Sequence, residues 1–203
     1  MRRIKYLGLV ALICTLTACA EAQVKRDLQH AEVSRHYKAS LASAAEFNGK
    51  RDCTKRGTTT WTSFQFNEST PIIKLPNGTN AAAFCVIIPA GARALEVHSD
   101  SKGGMTYFQL MLVHPSLQFL ADDFKPVKDL PKPRLSPGEG FFSGLGLNGV
   151  VVLGDDLASA NYILIYVHPL SLDGAIDVQT GYRSIPVPYG PYGQVEVKFS
   201  GPM

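Results

Sequence analysis

From Cys53 onward, hydrophobic residues occur in short runs separated by glycine, proline, asparagine and aspartate. In Thr60–Asn67 the pattern alternates, so that Phe64 and Phe66 lie on one face and mostly polar residues on the other. Alternation with a period of two is typical of a β-strand that is buried on one face. We therefore predict a strand here that buries both phenylalanines.

A second pattern predicts a β-hairpin. The apolar runs Pro71–Leu75 and Ala82–Ile88 flank the tripeptide Pro76-Asn77-Gly78. Asn-Gly favours positive φ and a tight reversal of the chain. We expect the two runs to pair as neighbouring strands.

The same reasoning gives about eight strands and few helical windows. The further candidates are Arg93–Ser99, Thr106–His114, Gly149–Leu153, Asn161–His168, Gln194–Phe199 and a weaker one near Tyr182–Pro188. Thr106–His114 and Asn161–His168 are nearly continuously apolar, which is typical of central strands covered on both faces. The pattern predicts an all-β domain over residues 51–203, folded as an antiparallel, jelly-roll-like β-sandwich.

The segment Lys125–Gly146 is rich in proline and glycine and does not fit a regular strand throughout. We expect a long connection that crosses between sheets, with Phe141 and Phe142 as its anchor in the core.

Residues 19–50 have a different composition, with many alanines and charged helix formers but no proline. The apolar positions do not stay on one helical face. This segment is predicted to be a partly helical N-terminal tether in front of the β-domain.

Residues 1–18 are predicted to be an export signal. A basic start is followed by an apolar stretch that is too short to cross a bilayer. The stretch ends in Leu16-Thr17-Ala18-Cys19, which resembles a bacterial lipobox. We expect Cys19 to carry lipid and to become the mature N-terminus; the alternative is an ordinary cleaved signal with an incidental cysteine.

The position after Cys19 bears on localisation. Ala20 stands there, and an alanine rather than an aspartate resembles the outer-membrane sorting pattern of bacterial lipoproteins. The expected location is therefore the outer membrane, facing the periplasm and held by the N-terminal lipid.

The formal net charge of +3 lies entirely in the predicted signal, which contains Arg2, Arg3 and Lys5 and no acidic residue. Of the 20 basic residues, 17 remain beyond it, and they balance the 17 acidic ones. A neutral chain lacks the basic surface that nucleic acid or anionic lipid would require. We therefore predict no nucleic-acid partner.

Cys53 and Cys85 are the cysteines left when Cys14 departs with the signal and Cys19 is lipidated. They are separated by 32 positions, and an exported protein meets an oxidising compartment. We expect them to form a disulfide. A metal site is the alternative, but the sequence has neither a CxxC spacing nor a histidine between them.

The sequence contains no GxSxG, HExxH, P-loop or EF-hand motif. The pairs Asp122-Asp123 and Asp155-Asp156 could supply the two carboxylates of a glycan hydrolase, with Asp123 or Asp156 as the acting acid. Their turn-like settings favour backbone capping instead. We predict no catalytic residues and no cofactor.

His114 and His168 each end an apolar run and precede a proline. If their strands are neighbours, the two histidines could meet in a metal site, but no third ligand stands nearby in the sequence. Proline also stops a strand without any metal. We therefore predict strand termination and no metal site.

Exposed aromatic rings could offer flat apolar faces to a sugar. Trp61, Tyr189 and Tyr192 are the candidate ligand-binding residues. The two tyrosines lie in the turn-rich segment PVPYGPYG, which is too irregular to bury every ring. Burial in the core is the alternative for each of them.

Several segments together resemble the maltose operon periplasmic protein family, the MalM-like lipoproteins. They are the stretch FNESTPIIKLPNGTNAAAFCVIIPAG, then FKPV (Phe124–Val127), YILIY (Tyr162–Tyr166) and PYGQVEV (Pro191–Val197). The resemblance covers roughly residues 60–200. It implies an exported, non-enzymatic, β-rich protein linked to maltose and maltodextrin uptake, with no catalytic residues to transfer.

Three functions follow as expectations. The first is an outer-membrane-anchored accessory lipoprotein that binds carbohydrate or an envelope protein in support of sugar transport. The second is a structural lipoprotein of an envelope complex, whose sheet edge pairs with another chain. The third is the glycan hydrolase.

Lipidation gives the first testable prediction. When the full chain is expressed in a bacterial cell, mass spectrometry of the mature protein should find an N-terminal peptide that starts at Cys19 and carries acyl chains. Cys19→Ser should remain unprocessed or be cut elsewhere. A mature N-terminus with an unmodified Cys19 would contradict the prediction.

Overall fold

A computed structural model describes residues 21, 23–100, 111–138, 146–179 and 184–201. Within these ranges the chain is mostly β, as predicted. In chain order the strands are β1 (Ala45–Glu46), β2 (Lys55–Arg56), β3 (Thr62–Phe66), β4 (Ile72–Lys74), β5 (Asn80–Ile87), β6 (Ala94–Asp100), β7 (Ser116–Leu120), β8 (Pro126–Leu130), β9 (Ser136–Gly138), β10 (Gly146–Val152), β11 (Tyr162–Tyr166), β12 (Ala175–Gln179), β13 (Ser184–Pro188) and β14 (Gly193–Ser200). The described helices are α1 (residues 23–40) and α2 (Gly49–Asp52), with 3-10 turns at Leu41–Ser43, Asp155–Leu157 and Pro169–Asp173.

The described strands form three sheets. A seven-stranded sheet has the order β1-β4-β5-β11-β7-β8, with β2 also pairing with β5. A five-stranded sheet has the order β3-β14-β6-β10-β9, and β12 pairs with β13. Pairing is antiparallel except between β1 and β4 and between β2 and β5, where short strands run parallel. The prediction of antiparallel pairing therefore holds for the long strands.

The predicted hairpin is confirmed. Strands β4 and β5 pair antiparallel, with Ile73 opposite Ala81. Gly78 has a φ of 86°, which glycine adopts at little cost. The side chain of Asn77 accepts a hydrogen bond from the backbone N–H of Thr79 at 2.9 Å, so both residues of the Asn-Gly pair contribute to the reversal.

One hydrophobic core is shared by the two larger sheets. Phe64 and Phe66 are 2% and 0% exposed, which confirms the alternation predicted for their strand. Further core residues come from β5, β6, β7, β11 and β14: Ala82, Val86, Leu95, Val97, Leu117, Phe119, Ile163, Ile165, Val195, Val197 and Phe199. Each sheet therefore buries one face of its long strands.

The seven-stranded sheet is covered on its other face as well. A second cluster there includes Ile73, Leu164 and Tyr166, packed with the Cys53–Cys85 pair. Strand β11 lies between β5 and β7 and is almost completely buried. The prediction of a central, doubly covered strand at residues 161–168 is thus confirmed.

The prediction of a strand at Thr106–His114 is wrong over its described part. Residues 106–110 lie outside the described ranges, and between residues 111 and 115 there is only a single bridge, from Leu112 to Tyr189. The ladder starts after Pro115, with β7. Apolar residues before the proline are buried by side-chain packing instead, because Leu112 and Tyr189 belong to a third hydrophobic cluster.

The segment Lys125–Gly146 crosses between the sheets, as predicted, but it is more regular than expected. It contains β8, which pairs with β7, and β9, which pairs with β10. The chain leaves the seven-stranded sheet after Leu130 and joins the five-stranded one at Ser136. Phe141 and Phe142, the predicted anchor, lie outside the described residues.

Helix α1, within the predicted tether, packs against the β-domain. Tyr37 is 1% exposed and belongs to the main core. Its hydroxyl donates to Val167 O at 2.8 Å and accepts from Ala82 N at 3.0 Å, and burial raises its pKa. Further toward the N-terminus, the buried Arg26 donates to Pro186 O at 2.9 Å. The helix is therefore fixed to the domain near both of its ends.

The Tyr37 hydroxyl gives a prediction about stability. Tyr37→Phe keeps the ring but leaves the buried N–H of Ala82 without a partner, so the free energy of unfolding should fall by about 1–3 kcal/mol. Urea unfolding of the mature protein measures this change. Val24→Ala, at an exposed position of the same helix, should not lower stability. An unchanged free energy for Tyr37→Phe would contradict the expected role.

Candidate functional site

The outer face of the five-stranded sheet carries a group of polar side chains. In β14 buried and half-buried residues alternate strictly, and β6 follows the same period. The inward residues are apolar apart from Ser99 and Gly193. The half-buried outward residues on the two strands are Ala94, Glu96, His98, Asp100, Gln194, Glu196, Lys198 and Ser200. Because these strands are neighbours, seven polar side chains share one surface.

Strand register brings polar residues from β6, β10 and β14 together around His98. Glu196 on β14 and Asn148 on β10 lie opposite His98. Asp100 follows two residues later on the same face. Directly opposed residues have Cβ atoms about 4.5–5.5 Å apart. We call His98, Asp100, Asn148 and Glu196 the His98 cluster.

The His98 cluster is tightly connected. His98 Nε2 lies 2.8 Å from Asp100 Oδ1, and His98 Nδ1 contacts Asn148 Oδ1. The side chains of His98 and Asp100 are only 17% and 22% exposed. Gln194 Nε2 donates to Glu196 Oε1 at 2.8 Å. His98, Asp100 and Glu196 each offer a ligand atom within 4.8 Å of the other two.

Two glycines leave room for this cluster. Gly146 and Gly138 lie opposite each other on β10 and β9. A Cβ atom on Gly146 would come within 3.0 Å of His98 Cε1 and 3.3 Å of Asp100 Oδ1, and one on Gly138 would overlap the Asn148 side chain. Side chains at these positions would therefore displace the cluster.

The cluster favours positive charge at its centre. Burial lowers the pKa of His98, but the hydrogen bonds to Asn148 and Asp100 and the charges of Asp100 and Glu196 outweigh this effect and leave its pKa above the ordinary value. A cation is thus stabilised between two carboxylates. The arrangement can hold either a protonated imidazole or a metal ion.

Trp61, a predicted ligand-binding residue, lies beside the same surface. It directly precedes β3 and is 46% exposed. Its ring meets the His98 ring edge to face, with centroids 6.2 Å apart. Lys198 Nζ lies 5.0 Å from the Trp61 ring centroid and 2.8 Å from Glu96 Oε2. An exposed indole therefore borders polar and charged groups.

The two tyrosines proposed alongside Trp61 lie elsewhere. Tyr189 is 5% exposed and packs on His114 with ring centroids 4.9 Å apart. Tyr192 is partly buried against Tyr37 and lines an open cavity of about 530 Å³. Trp61 precedes the first residue of β3, whereas Tyr192 lies near the last one, because Phe66 pairs with Gly193. The three rings do not form one surface.

The cysteines that the sequence singled out are a disulfide pair and the predicted lipid-carrying residue. Cys53 and Cys85 form the predicted disulfide, with Cα atoms 4.7 Å apart, and it links the end of α2 to β5. Cys19, predicted to carry lipid, lies outside the described residues.

Asp123 and Asp156, the candidate acids of a glycan hydrolase, are exposed. Asp123 is hydrogen-bonded to Lys125 and Asp156 to Lys128, and these hydrogen bonds lower the pKa of each carboxyl. An ionised carboxylate is not a general acid.

His114 and His168 stand at the same end of neighbouring strands, because Ser116 and Tyr166 are opposite each other. Their side chains nevertheless have separate surroundings. His114 is buried against Tyr189, whereas His168 Nδ1 accepts a hydrogen bond from Leu170 N at 3.1 Å. His168 caps a 3-10 turn, which accounts for its position before a proline.

The chain matches no known protein-family model and no curated protein sequence. Among the described residues, no helix combines the length and apolar character that crossing a membrane requires.

The His98 cluster was missed in the sequence. The alternation in Arg93–Ser99 and Gln194–Phe199 places His98 and Glu196 on outward faces, so the outward position of each residue could be predicted. Nothing local indicated that strands almost 100 residues apart pair directly. The carboxylates therefore could not be assigned to the histidine.

His114 gives a prediction about pH. Burial and the charge of Lys132 lower the pKa of its imidazole below the ordinary value of 6.5. As the pH falls, the His114 side chain is protonated in the unfolded chain before it is protonated in the folded one. The contribution of His114 to stability should therefore fall below pH 6.5, by up to about 1.4 kcal/mol per pH unit. Stability above this pH should be unaffected by the group.

Urea unfolding between pH 7.5 and pH 5 measures this effect. His114→Phe should show a smaller loss of stability over that range than the wild type. His36→Gln, at an exposed position of α1, should keep the wild-type slope. Identical slopes for His114→Phe and the wild type would contradict the assignment.

Proposed function

We propose that this protein is a lipid-anchored, non-enzymatic accessory protein of the bacterial outer membrane that faces the periplasm and binds carbohydrate of the maltodextrin type. The main support is the exposed Trp61 ring beside the polar outer face of the five-stranded sheet. A pyranose ring has apolar C–H faces and a polar rim of hydroxyl groups. On this surface the indole ring would contact an apolar face of the sugar, and the neighbouring polar side chains would contact its hydroxyl groups.

The sugar ring would stack on the open face of the Trp61 indole. Lys198 lies over the Trp61 ring, and Glu96 forms an ion pair with Lys198. A hydrogen-bond donor and an acceptor therefore lie beside the stacking surface. Gln194 and Glu196 continue the polar row along β14. Hydroxyl groups at the rim of the sugar can bond to these side chains without burying a charge, because the face is half exposed.

Anchoring by lipid at Cys19 completes the proposal. The chain after the signal is formally neutral, so electrostatic attraction does not hold it at a membrane surface. Acyl chains on the N-terminal cysteine would do so. Helix α1 follows within a few residues and packs on the domain, which would keep the binding surface near the membrane.

We infer further that the two larger sheets form a jelly-roll-like sandwich. They share one hydrophobic core, and β14 pairs with β3 and β6, both far from it in sequence. Long-range pairs of this kind are expected where strands alternate between two sheets.

A structural role in an envelope complex is the second candidate. Strand β9 covers β10 only at Gly146–Asn148, and no other described strand pairs with Val150–Val152 on that side. Val150 and Val152 are 62% and 71% exposed. An edge of this kind can accept a strand from a partner protein. Copurification of an envelope protein, in place of sugar binding, would favour this function.

Sugar binding is tested by calorimetric titration of the mature protein with a series of maltodextrins. Trp61→Ala should weaken binding at least tenfold, about 1.4 kcal/mol, because the stacking surface is lost. Trp61→Phe should retain part of the affinity. Leu170→Ala, which removes an exposed apolar side chain elsewhere, should bind normally.

Two results would count against the proposal. One is the absence of any heat signal and of any thermal stabilisation of the wild type by maltodextrins. The other is equal binding by the wild type and Trp61→Ala, which would place the sugar elsewhere on the molecule.

A further inference from the structure

Neighbouring strands bring three metal-ligating side chains together on the outer face of the five-stranded sheet. We propose that His98, Asp100 and Glu196 bind a divalent transition-metal ion of the zinc class, with His98 Nε2 and one oxygen from each carboxylate as ligands. Their ligand atoms already lie within 4.8 Å of one another. Strands β6 and β14 are paired over seven residues, so the backbone beneath the site is rigid.

The distances suit an ion of this size. Zinc bonds of about 2.0–2.2 Å in tetrahedral geometry place ligand atoms about 3.4 Å from each other. The ligand atoms need to move by no more than roughly 1.4 Å to reach that separation. His98 Nε2 and Asp100 Oδ1, at 2.8 Å, would move slightly apart to admit the ion. Small side-chain rotations on a half-exposed face are sufficient for this.

Asn148 orients the histidine for metal binding. Its Oδ1 contacts His98 Nδ1, so a proton on Nδ1 can be donated to Asn148. The lone pair of the neutral imidazole is then on Nε2, the nitrogen that faces Asp100. Metal-binding histidines usually donate their other N–H to an acceptor in this way, which fixes both tautomer and ring orientation. Asn148 is therefore a positioning residue.

The other ligands also have support. Gln194 donates to Glu196 Oε1 at 2.8 Å, which steadies this carboxylate and leaves Oε2 for the metal. A Cβ atom on Gly146 would crowd both His98 and Asp100, so the glycine keeps the space beside the ligands open. Three protein ligands on a half-exposed face leave a fourth position for water or a further ligand.

The donor set selects the class of metal. One imidazole nitrogen and two carboxylate oxygens suit zinc, cobalt, nickel or manganese. Calcium prefers six to eight oxygen ligands, which these three side chains do not supply. The competing occupant is a proton, because a protonated His98 between the two carboxylates would form a stable ion-pair network without any metal. Titration with metal distinguishes a metal-binding site from a site occupied by a proton on His98.

The test uses the purified mature protein, stripped of metal with a chelator and titrated by calorimetry with Zn²⁺ alone. We expect one Zn²⁺ per chain. His98→Ala, Asp100→Asn and Glu196→Gln should each weaken binding at least tenfold. Glu46→Gln removes an exposed carboxylate from the seven-stranded sheet and should bind Zn²⁺ like the wild type.

A second measurement remains informative if a variant folds poorly. Nitrogen NMR of the wild-type histidines should show that Zn²⁺ shifts the Nε2 signal of His98, while His36 and His168 change little. Binding with no change at His98, or affinity unaltered by all three substitutions, would overturn the proposal, as would the absence of Zn²⁺ binding by the wild type. No sugar is present, so failure here leaves the carbohydrate proposal untouched.

Discussion

Burial of the inward side chains of β6 and β14 against the seven-stranded sheet determines most of what this domain presents to solvent. Leu95, Val97, Val195, Val197 and Phe199 are almost completely buried in the shared core. Successive side chains of a strand point to opposite faces, so their burial forces the intervening residues outward. A slip of one residue in either strand would exchange the apolar and polar sets. The hydrophobic core thereby fixes the position of the polar surface.

The opposite side of the domain is stabilised differently. The seven-stranded sheet is covered on its outer face by the segment that contains α2, and the disulfide between Cys53 and Cys85 joins that cover to the sheet. A bond closing a loop over 32 positions contributes about 3.5–4 kcal/mol in the chain-entropy description. Tyr37 supplies a second link, from α1 to the ends of β5 and β11. The disulfide and the Tyr37 hydroxyl thus connect segments that precede β3 to the strands of the seven-stranded sheet.

Features encoded over short stretches could be predicted from the sequence. The hairpin at Asn77-Gly78 follows from the turn preference of two residues, and the alternation of β3 from its two phenylalanines. The disulfide followed from elimination among four cysteines. The strand assigned before Pro115 was wrong, because an apolar run indicates burial but does not distinguish a paired strand from a packed irregular segment.

The sheet order and the His98 cluster needed long-range information. His98 and Glu196 are separated by almost 100 residues, and their contact depends on the pairing of β6 with β14. Short strands such as β1, β2 and β9 have only two or three residues, too few to show a period. Trp61 was a candidate ligand-binding residue with burial as the alternative, and its exposure and its setting beside His98 and Lys198 became apparent only in the fold.

Beyond residue 18 the chain is formally neutral, with 17 basic and 17 acidic residues, and this gives the local groups their importance. Because this part of the chain has no net charge, long-range attraction contributes little to recognition there, and selectivity depends on short-range contacts. Trp61 and the His98 cluster touch each other through their rings, so a ligand on one changes the surroundings of the other. If both sites are occupied, any effect of metal on sugar affinity must be matched by an equal effect of sugar on metal affinity, because the two binding equilibria form a thermodynamic cycle. The contact between the two rings is the physical route by which such coupling would act.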